Sequence, residues 1–227
     1  LLLEKVAQLS LPADIARELV VVNDASTDGT AAVVRQFQAA HPGVPLKYLE
    51  HPRNRGKGAA VRTAIDAATG DILVIQDADL EYDPNDFNLM LPHILSGECQ
   101  VVYGSRFLNK RNRHSYQSFY LGGRFLSLCA NLLYRQHLTD EPTCYKMFTA
   151  PLLKSMKLDC TGFEFCPEVT AKAARAGHRI KEVAINYYPR SIKEGKKIKW
   201  HDGVRAIWTL VRYRFYKPTP LPPDRRS

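Results

Sequence analysis

No stretch of this 227-residue sequence is long and apolar enough to cross a membrane. Its longest strongly apolar run, residues 125–134, is ten residues, and a spanning helix needs about 20. The first residues carry no signal-peptide pattern. The expectation is therefore a cytoplasmic chain, able to lie on a membrane surface but not to span one. Cysteine is sparse and odd in number: Cys99, Cys129, Cys144, Cys160 and Cys166, with no CxxC pair. That spacing excludes the common zinc sites and points to free thiols in a reducing compartment. The GxxxxGK[ST] spacing of a phosphate-binding P-loop is absent. So are internal repeats, low-complexity tracts and any recognised nucleic-acid-binding motif.

What remains is ordinary for one α/β domain: 45% hydrophobic and 24% charged residues. The charge is unevenly placed. Residues 1–174 hold 18 Lys and Arg against 19 Asp and Glu, whereas residues 175–227 hold 14 against 4. The net +9 of the chain thus sits in its last quarter, as suits an anionic partner.

Apolar β-branched runs alternate with helical patterns. Residues 19–22, 46–49, 72–75 and 101–103 read as strands, and residues 31–40, 57–68 and 84–95 as helices between them. The run at 72–75 is apolar throughout, as expected of a strand buried on both faces. This order predicts a mainly parallel sheet flanked by helices. After residue 105 the rhythm breaks into a basic loop (109–114), a long helix (118–134), a strand (145–148), a helix (165–176), a strand (180–187) and a last helix (202–216). The opening residues 1–9 read as helix, so the usual first strand of such a sheet is expected to be missing. Residues 1–200 read as the catalytic domain, 201–217 as a basic amphipathic helix and 218–227 as a disordered tail.

Four clusters carry chemistry. Asn23-Asp24-Ala25-Ser26-Thr27-Asp28-Gly29-Thr30 follows a strand and opens a helix; it suits either a base and ribose or a plain helix cap. Asn54-Arg55-Gly56-Lys57-Gly58 opens another helix and suits either a phosphate or a tight turn. Asp77, Asp79 and Glu81 alternate where the 72–75 strand ends, and such a cluster repels itself unless a cation sits in it. Hard oxygen ligands favour Mg2+ or Mn2+. Arg106, Arg124, Arg190, Lys193, Lys196, Lys197 and Lys199 form a basic set that suits phosphate, or simply a solvated face.

In this order and spacing the clusters resemble glycosyltransferase family 2, with its GT-A (Rossmann-like) fold. Gly104-Ser105-Arg106-Phe107, Leu138-Thr139-Asp140, Gly162-Phe163-Glu164-Phe165 and Tyr188-Pro189-Arg190 resemble the dolichol-phosphate mannosyltransferase branch. The resemblance implies an inverting, metal-dependent enzyme. It moves a mannose- or glucose-type sugar from GDP-mannose or a UDP-sugar to a polyprenyl (dolichyl or undecaprenyl) phosphate. It implies that Asp24, Ser26, Arg55, Gly56, Lys57 and Asp77 bind the nucleotide-sugar. Asp77, Asp79 and Glu81 bind the metal, Mg2+ or Mn2+. Arg106, Arg124, Arg190 and Lys197 hold the acceptor phosphate, and Asp79, Arg106, Arg124 and Asp140 form the catalytic set. Asp140 reads either as a base or as a structural cap. A sugar hydroxyl acceptor in polysaccharide synthesis is the alternative; it requires a carboxylate base, Asp140 or Glu164. In 202–216, Val204, Ile207, Trp208, Val211 and Phe215 recur at helical spacing, with Arg205 and Arg212 on another side. That pattern predicts either peripheral docking on an anionic membrane at its cytoplasmic face, or packing on the domain core. No nucleic-acid partner is expected.

Overall fold

The computed structural model describes residues 2–113, 116–190 and 200–218. A short helix α1 (Leu2–Ala7) precedes β1 (Leu19–Asn23), α2 (Thr30–Ala40), β2 (Leu46–Glu50), α3 (Lys57–Ala67) and β3 (Ile72–Val74). A 3-10 turn at Pro84–Asp86 leads into α4 (Phe87–Leu95), then β4 (Val101–Ser105) and the long α5 (Gln117–Tyr134). The remainder is β5 (Lys146–Thr149), α6 (Ala150–Ser155), α7 (Phe165–Arg175), β6 (Lys181–Ala184) and α8 (Trp200–Tyr213).

β1 and β2 pair in parallel, from Leu19 opposite Leu46 to Asn23 opposite Glu50. The other strands form a sheet in the order β3-β5-β4-β6. There β5 alone runs against its neighbours β3 and β4, while β4 and β6 are parallel. Helices flank the strands, as the alternation of patterns predicts. Two expectations need correction. The 72–75 run is not the most buried strand: β3 is half-buried at the edge of its sheet, whereas every residue of β4 is buried. Helical spacing predicts Val33 on the same side of α2 as Val34 and Phe37; the structure exposes Val33 and buries the other two.

The main core lies between the four-stranded sheet and α4, which buries Phe87, Met90, Leu91 and Ile94. Each such side chain contributes about 1.5–3 kcal/mol relative to exposure. A second apolar cluster joins α5, α7 and α8 through Leu126, Ala130, Tyr134, Ala171, Ala206, Leu210 and Tyr213. Helix α8 is thus docked on the domain by one side. Of its expected apolar stripe only Ile207 packs against that cluster, and Val204, Trp208 and Val211 stay exposed. No described helix is long and apolar enough to cross a membrane.

Candidate active site

Three loops meet where β1, β2 and β3 end. Asp24, just past β1, accepts hydrogen bonds from the backbone N–H of Arg55 (2.8 Å) and Gly56 (2.7 Å), and its Oδ1 lies 2.6 Å from His51 Nδ1. The other nitrogen of that buried imidazole lies 2.9 Å from Thr63 Oγ1. Burial tends to raise the Asp24 pKa, but His51 and the two N–H donors outweigh it and hold the carboxyl below its ordinary value. Asp24 therefore stitches the first loop to the second. Ser26 is exposed beside it, its N–H donating to Asn23 Oδ1.

The glycines of the second loop meet backbone. Gly56 has φ +91°, and a Cβ there would stand 2.3 Å from the Thr161 carbonyl oxygen. A Cβ on Gly58 would stand 2.9 Å from that of Gly162. The segment 160–162, between α6 and α7, thus lies against the start of α3, and Ala59 N–H donates to Thr161 O. Glu164 fixes this loop by accepting from the N–H groups of Thr161 and Gly162. Close backbone packing accounts for both glycines. Lys57 reaches past them to Asp77, with Nζ 2.6 Å from Oδ2 and 5.8 Å from the centre of the Phe163 ring.

Beyond β3 the chain turns sharply. Leu80 sits in the left-handed region, φ 61°, a conformation that costs of order 1–3 kcal/mol in a branched residue. Glu81 N–H donating to Asp79 Oδ1 at 3.1 Å, and Tyr188 N–H donating to Glu81 O at 2.8 Å, hold the turn. Arg190 closes it: Nη2 is 2.7 Å from Asp79 Oδ2, and the Arg190 N–H donates to Glu81 Oε1 at 2.9 Å. Burial raises the Asp79 pKa, and the neighbouring Asp77 and Glu81 carboxylates raise it further. That crowding of partly exposed oxygen donors, with 26% of the Asp77 and 20% of the Asp79 side chain accessible, fits a hard divalent cation. Glu81 is less accessible than these two. It is buried, and its two oxygens accept from Arg190 N–H and Tyr187 O–H. Among the described residues no three His, Cys, Asp or Glu side chains are grouped to hold a metal. In this arrangement Lys57 holds Asp77, while Arg190 holds Asp79 and Glu81.

Tyr187 links this turn to the basic side. Its hydroxyl donates to Glu81, and its ring lies under the Arg106 guanidinium at 5.2 Å. Arg106 leaves the end of β4 and is clamped by Asp140, whose oxygens accept from Nε (2.7 Å), Nη2 (2.7 Å) and the Arg106 N–H (2.9 Å). Asp140 is wholly buried and faces Arg106, so the geometry gives it the positioning role and not that of a solvent-facing base. Burial alone would lower the Arg106 pKa; the Asp140 carboxylate outweighs it and keeps the guanidinium charged. Arg124, on α5, donates to Thr139 O at 3.4 Å and lies over the same Phe107 ring as Arg106. Next to them a depression of about 290 Å³ is lined by Arg111, Asn112, Arg113 and Tyr187, among others. Lys193, Lys196, Lys197 and Lys199 lie outside the described residues.

The family model for "Glycosyl transferase family 2" matches residues 3–156. The chain belongs to glycosyl transferase family 2. A dodecaprenyl-phosphate galacturonate synthase of Rhizobium johnstonii is 30% identical over 197 residues, covering 83% of this chain and 54% of that protein. A dolichyl-phosphate beta-glucosyltransferase of Trichomonas vaginalis is 28% identical over 212 residues, covering 88% of this chain and 62% of that one. The chain thus spans a little over half the length of these curated relatives. The fold matches solved structures of glycosyltransferases. One is a Mycobacterium tuberculosis glucosyl-3-phosphoglycerate synthase in complex with uridine diphosphate, with TM-score 0.62 and 19% identity, covering 87% of this chain and 69% of that one. Another is a Pyrobaculum calidifontis mannosyltransferase in complex with GDP-Man and Mn2+, with TM-score 0.60 and 20% identity, covering 94% of this chain and 65% of that one. The fold is therefore the GT-A α/β fold that the resemblance implies.

Several residues of this family 2 site are not evident from the sequence alone. Tyr187 reads as the end of the 180–187 strand, and His51 falls outside the four clusters. Glu182 accepts from the N–H groups of Thr139 (2.7 Å) and Asp140 (2.9 Å), and so fixes the Asp140 clamp from 42 residues away. Only the fold brings them together.

Proposed function

We propose that this domain moves a mannose- or glucose-type sugar from GDP-mannose or a UDP-sugar to a polyprenyl phosphate, with inversion, at the cytoplasmic face of a membrane. The observation that carries the reading is the juxtaposition, through Tyr187, of the Asp77/Asp79 turn with the charged Arg106 and its neighbour Arg124. One pole suits a diphosphate with its cation; the other suits a second phosphate.

Asp24, Ser26, Arg55, Gly56, Lys57 and Asp77 form the donor side. Asp77 and Asp79 are the residues to hold Mg2+ or Mn2+. When bound, that ion supplies charge neutralisation to the departing nucleoside diphosphate. The acceptor phosphate oxygen forms a bond to the anomeric carbon, and the bond from that carbon to the diphosphate oxygen breaks, its electron pair leaving with the diphosphate. A phosphate monoester is already largely ionised at neutral pH, so no strong base is needed. Arg106, Arg124 and Arg190 orient the acceptor and offset its charge, with Lys197 as a further candidate. The commitment of Asp140 to Arg106 and of Glu164 to the 161–162 turn supports a phosphate over a sugar hydroxyl acceptor, which needs a free base.

The test is a melting screen of GDP- and UDP-sugars with Mn2+. A donor present at about 100 times its dissociation constant adds about 2.7 kcal/mol of stability. The reading expects one sugar nucleotide to raise the melting temperature with Mn2+ and to lose most of that effect in Asp79→Asn. No response to any of them refutes it.

A further inference from the structure

His51 directly follows β2, and its backbone N–H donates to Asn23 O at 2.9 Å, which ties it to the end of β1. Its side chain is only 5% exposed. Nδ1 lies 2.6 Å from Asp24 Oδ1, and Nε2 lies 2.9 Å from Thr63 Oγ1 on α3. Asp24 also accepts from the Arg55 and Gly56 N–H groups, as an ionised carboxylate does, so Nδ1 carries a proton. Thr63 has one hydroxyl proton to give. Its Oγ1 also lies 3.1 Å from Ala59 O, a carbonyl that can only accept. If the proton goes to Ala59, Nε2 must supply the other proton, and both ring nitrogens are protonated. If it goes to Nε2, the ring is neutral and the bond to Ala59 is lost. These groups thus have two arrangements one proton apart, and only the charged one makes every bond at once. Asp24 is the charged group in contact with the ring. Charges on the neighbouring elements turn elsewhere: Glu50 pairs with Arg35, Arg62 donates to Cys160 O at 3.3 Å, and Lys57 holds Asp77. Arg55 and Asp66 are exposed, and Asp28 accepts from Thr30 N–H.

We infer that His51, as an imidazolium bridging Asp24 and Thr63, is a positioning residue for the sugar nucleotide, and that loss of its proton weakens donor binding as pH rises. The contacts run from the ring to the donor side in short steps. Asp24 holds the Arg55 and Gly56 N–H groups. Gly56, at φ +91°, abuts the Thr161 carbonyl. Lys57, the next residue, reaches Asp77 at 2.6 Å. The Asp24 side chain is 18% accessible, so its carboxylate stands at the edge of the site, and a positive ring behind it offsets its charge where an anionic diphosphate must enter. Histidine is the side chain that exchanges its proton between about pH 5 and 8. Because both arrangements keep the Nδ1–H bond to Asp24, the proton leaves without unfolding the loop; what changes is the charge and the grip on α3. The effect on the donor rests on the proposed function, whereas the bridge itself does not.

The test has two readouts on the full chain, each followed from about pH 5.5 to 8.5. One is nitrogen NMR of the His51 ring, identified by its absence from His51→Asn. The other is calorimetric binding of GDP-mannose and UDP-glucose with Mn2+. Their diphosphates are esterified at both ends and so do not titrate in that range, and any titration elsewhere in the site is common to parent and variants. In the parent, protons on both ring nitrogens at the low end should coincide with the tighter donor binding, and affinity should fall at least about fivefold as one proton leaves. His51→Asn keeps an N–H for Asp24 but cannot charge, so it should bind at the parent's weaker, high-pH affinity with a flat profile. Thr63→Val removes the acceptor for Nε2–H and should move both the ring titration and the fall in affinity to lower pH by about one unit. A structural role alone would lower the melting temperature of His51→Asn and leave the slope with pH unchanged. That result overturns the inference, as does an unprotonated Nε2 where the donor binds tightest, or an unshifted Thr63→Val. If no sugar nucleotide binds the parent at any pH, the proposed function fails, and the ring signals of the parent and Thr63→Val still decide the bridge.

Discussion

Asp140→Ala tests the reading of the acceptor side most sharply. In the folded chain the Asp140 carboxylate is fully buried, and it accepts three hydrogen bonds from Arg106, a guanidinium only 16% exposed. Removing the carboxylate leaves a nearly buried positive charge without its partner, which costs about 3–5 kcal/mol. Residual access of Arg106 to water favours the lower end. In a domain of this size 1 kcal/mol moves the melting temperature by about 2–4 °C, so a drop of roughly 6–12 °C is expected by circular dichroism. The companion double variant Arg106→Met with Asp140→Leu removes both charges and should recover most of that loss, because an apolar pair of similar volume is often as stable as a buried ion pair. It should nevertheless fail to use a phosphate acceptor. If Asp140 were instead a proton-abstracting base, Asp140→Ala would abolish turnover with little change in melting. A melting temperature within about 2 °C of the parent refutes the positioning argument.

Arg190→Gln should strengthen Mn2+ binding in the absence of any nucleotide, because Arg190 now occupies Asp79 and Glu81; unchanged Mn2+ affinity by calorimetry contradicts this. Gly56→Ala forces a Cβ to within 2.3 Å of Thr161 O at a positive φ, so a loss of about 1–3 kcal/mol is expected in urea denaturation. A stability equal to the parent shows that the loop yields without strain. Glu18 feels an upward push from burial, which Lys47 and Thr69 more than offset to bring its pKa from 4.5 to about 2. A carboxyl depressed on folding adds stability above its unfolded pKa and loses it as pH falls through the folded value. Glu18→Gln should therefore melt below the parent at neutral pH and converge with it near pH 2; a constant difference across that range argues against the linkage.

The local parts of this site were legible in the sequence; the joins between them were not. The Asp77–Glu81 alternation and the Gly56–Gly58 spacing announce a turn and a close approach from neighbouring residues alone. Strand and helix positions followed from periodicity to within a few residues. What periodicity lacks is partnership. Strand β5 reads like any short apolar run, and nothing local says that it inserts antiparallel between β3 and β4. Asp24, expected to face a ligand, closes a hydrogen-bonded ring with residues 27 to 32 positions away. Glu81 reads as a third metal ligand, and nothing local shows its contacts with Tyr187 and Arg190, more than 100 positions on. Helix α8 showed its amphipathicity openly, but which apolar residues turn inward was decided by α5 and α7.

The central claim is that the Asp77/Asp79 turn and the arginine cluster transfer a sugar from a nucleotide to a lipid phosphate. The most direct measurement follows labelled sugar from GDP-mannose and UDP-glucose, with Mn2+, into undecaprenyl phosphate, undecaprenol and an oligosaccharide supplied in parallel. The account predicts label in the lipid phosphate alone, lost in Asp79→Asn and in Arg106→Met. Label entering the oligosaccharide, or persisting in both variants, contradicts it.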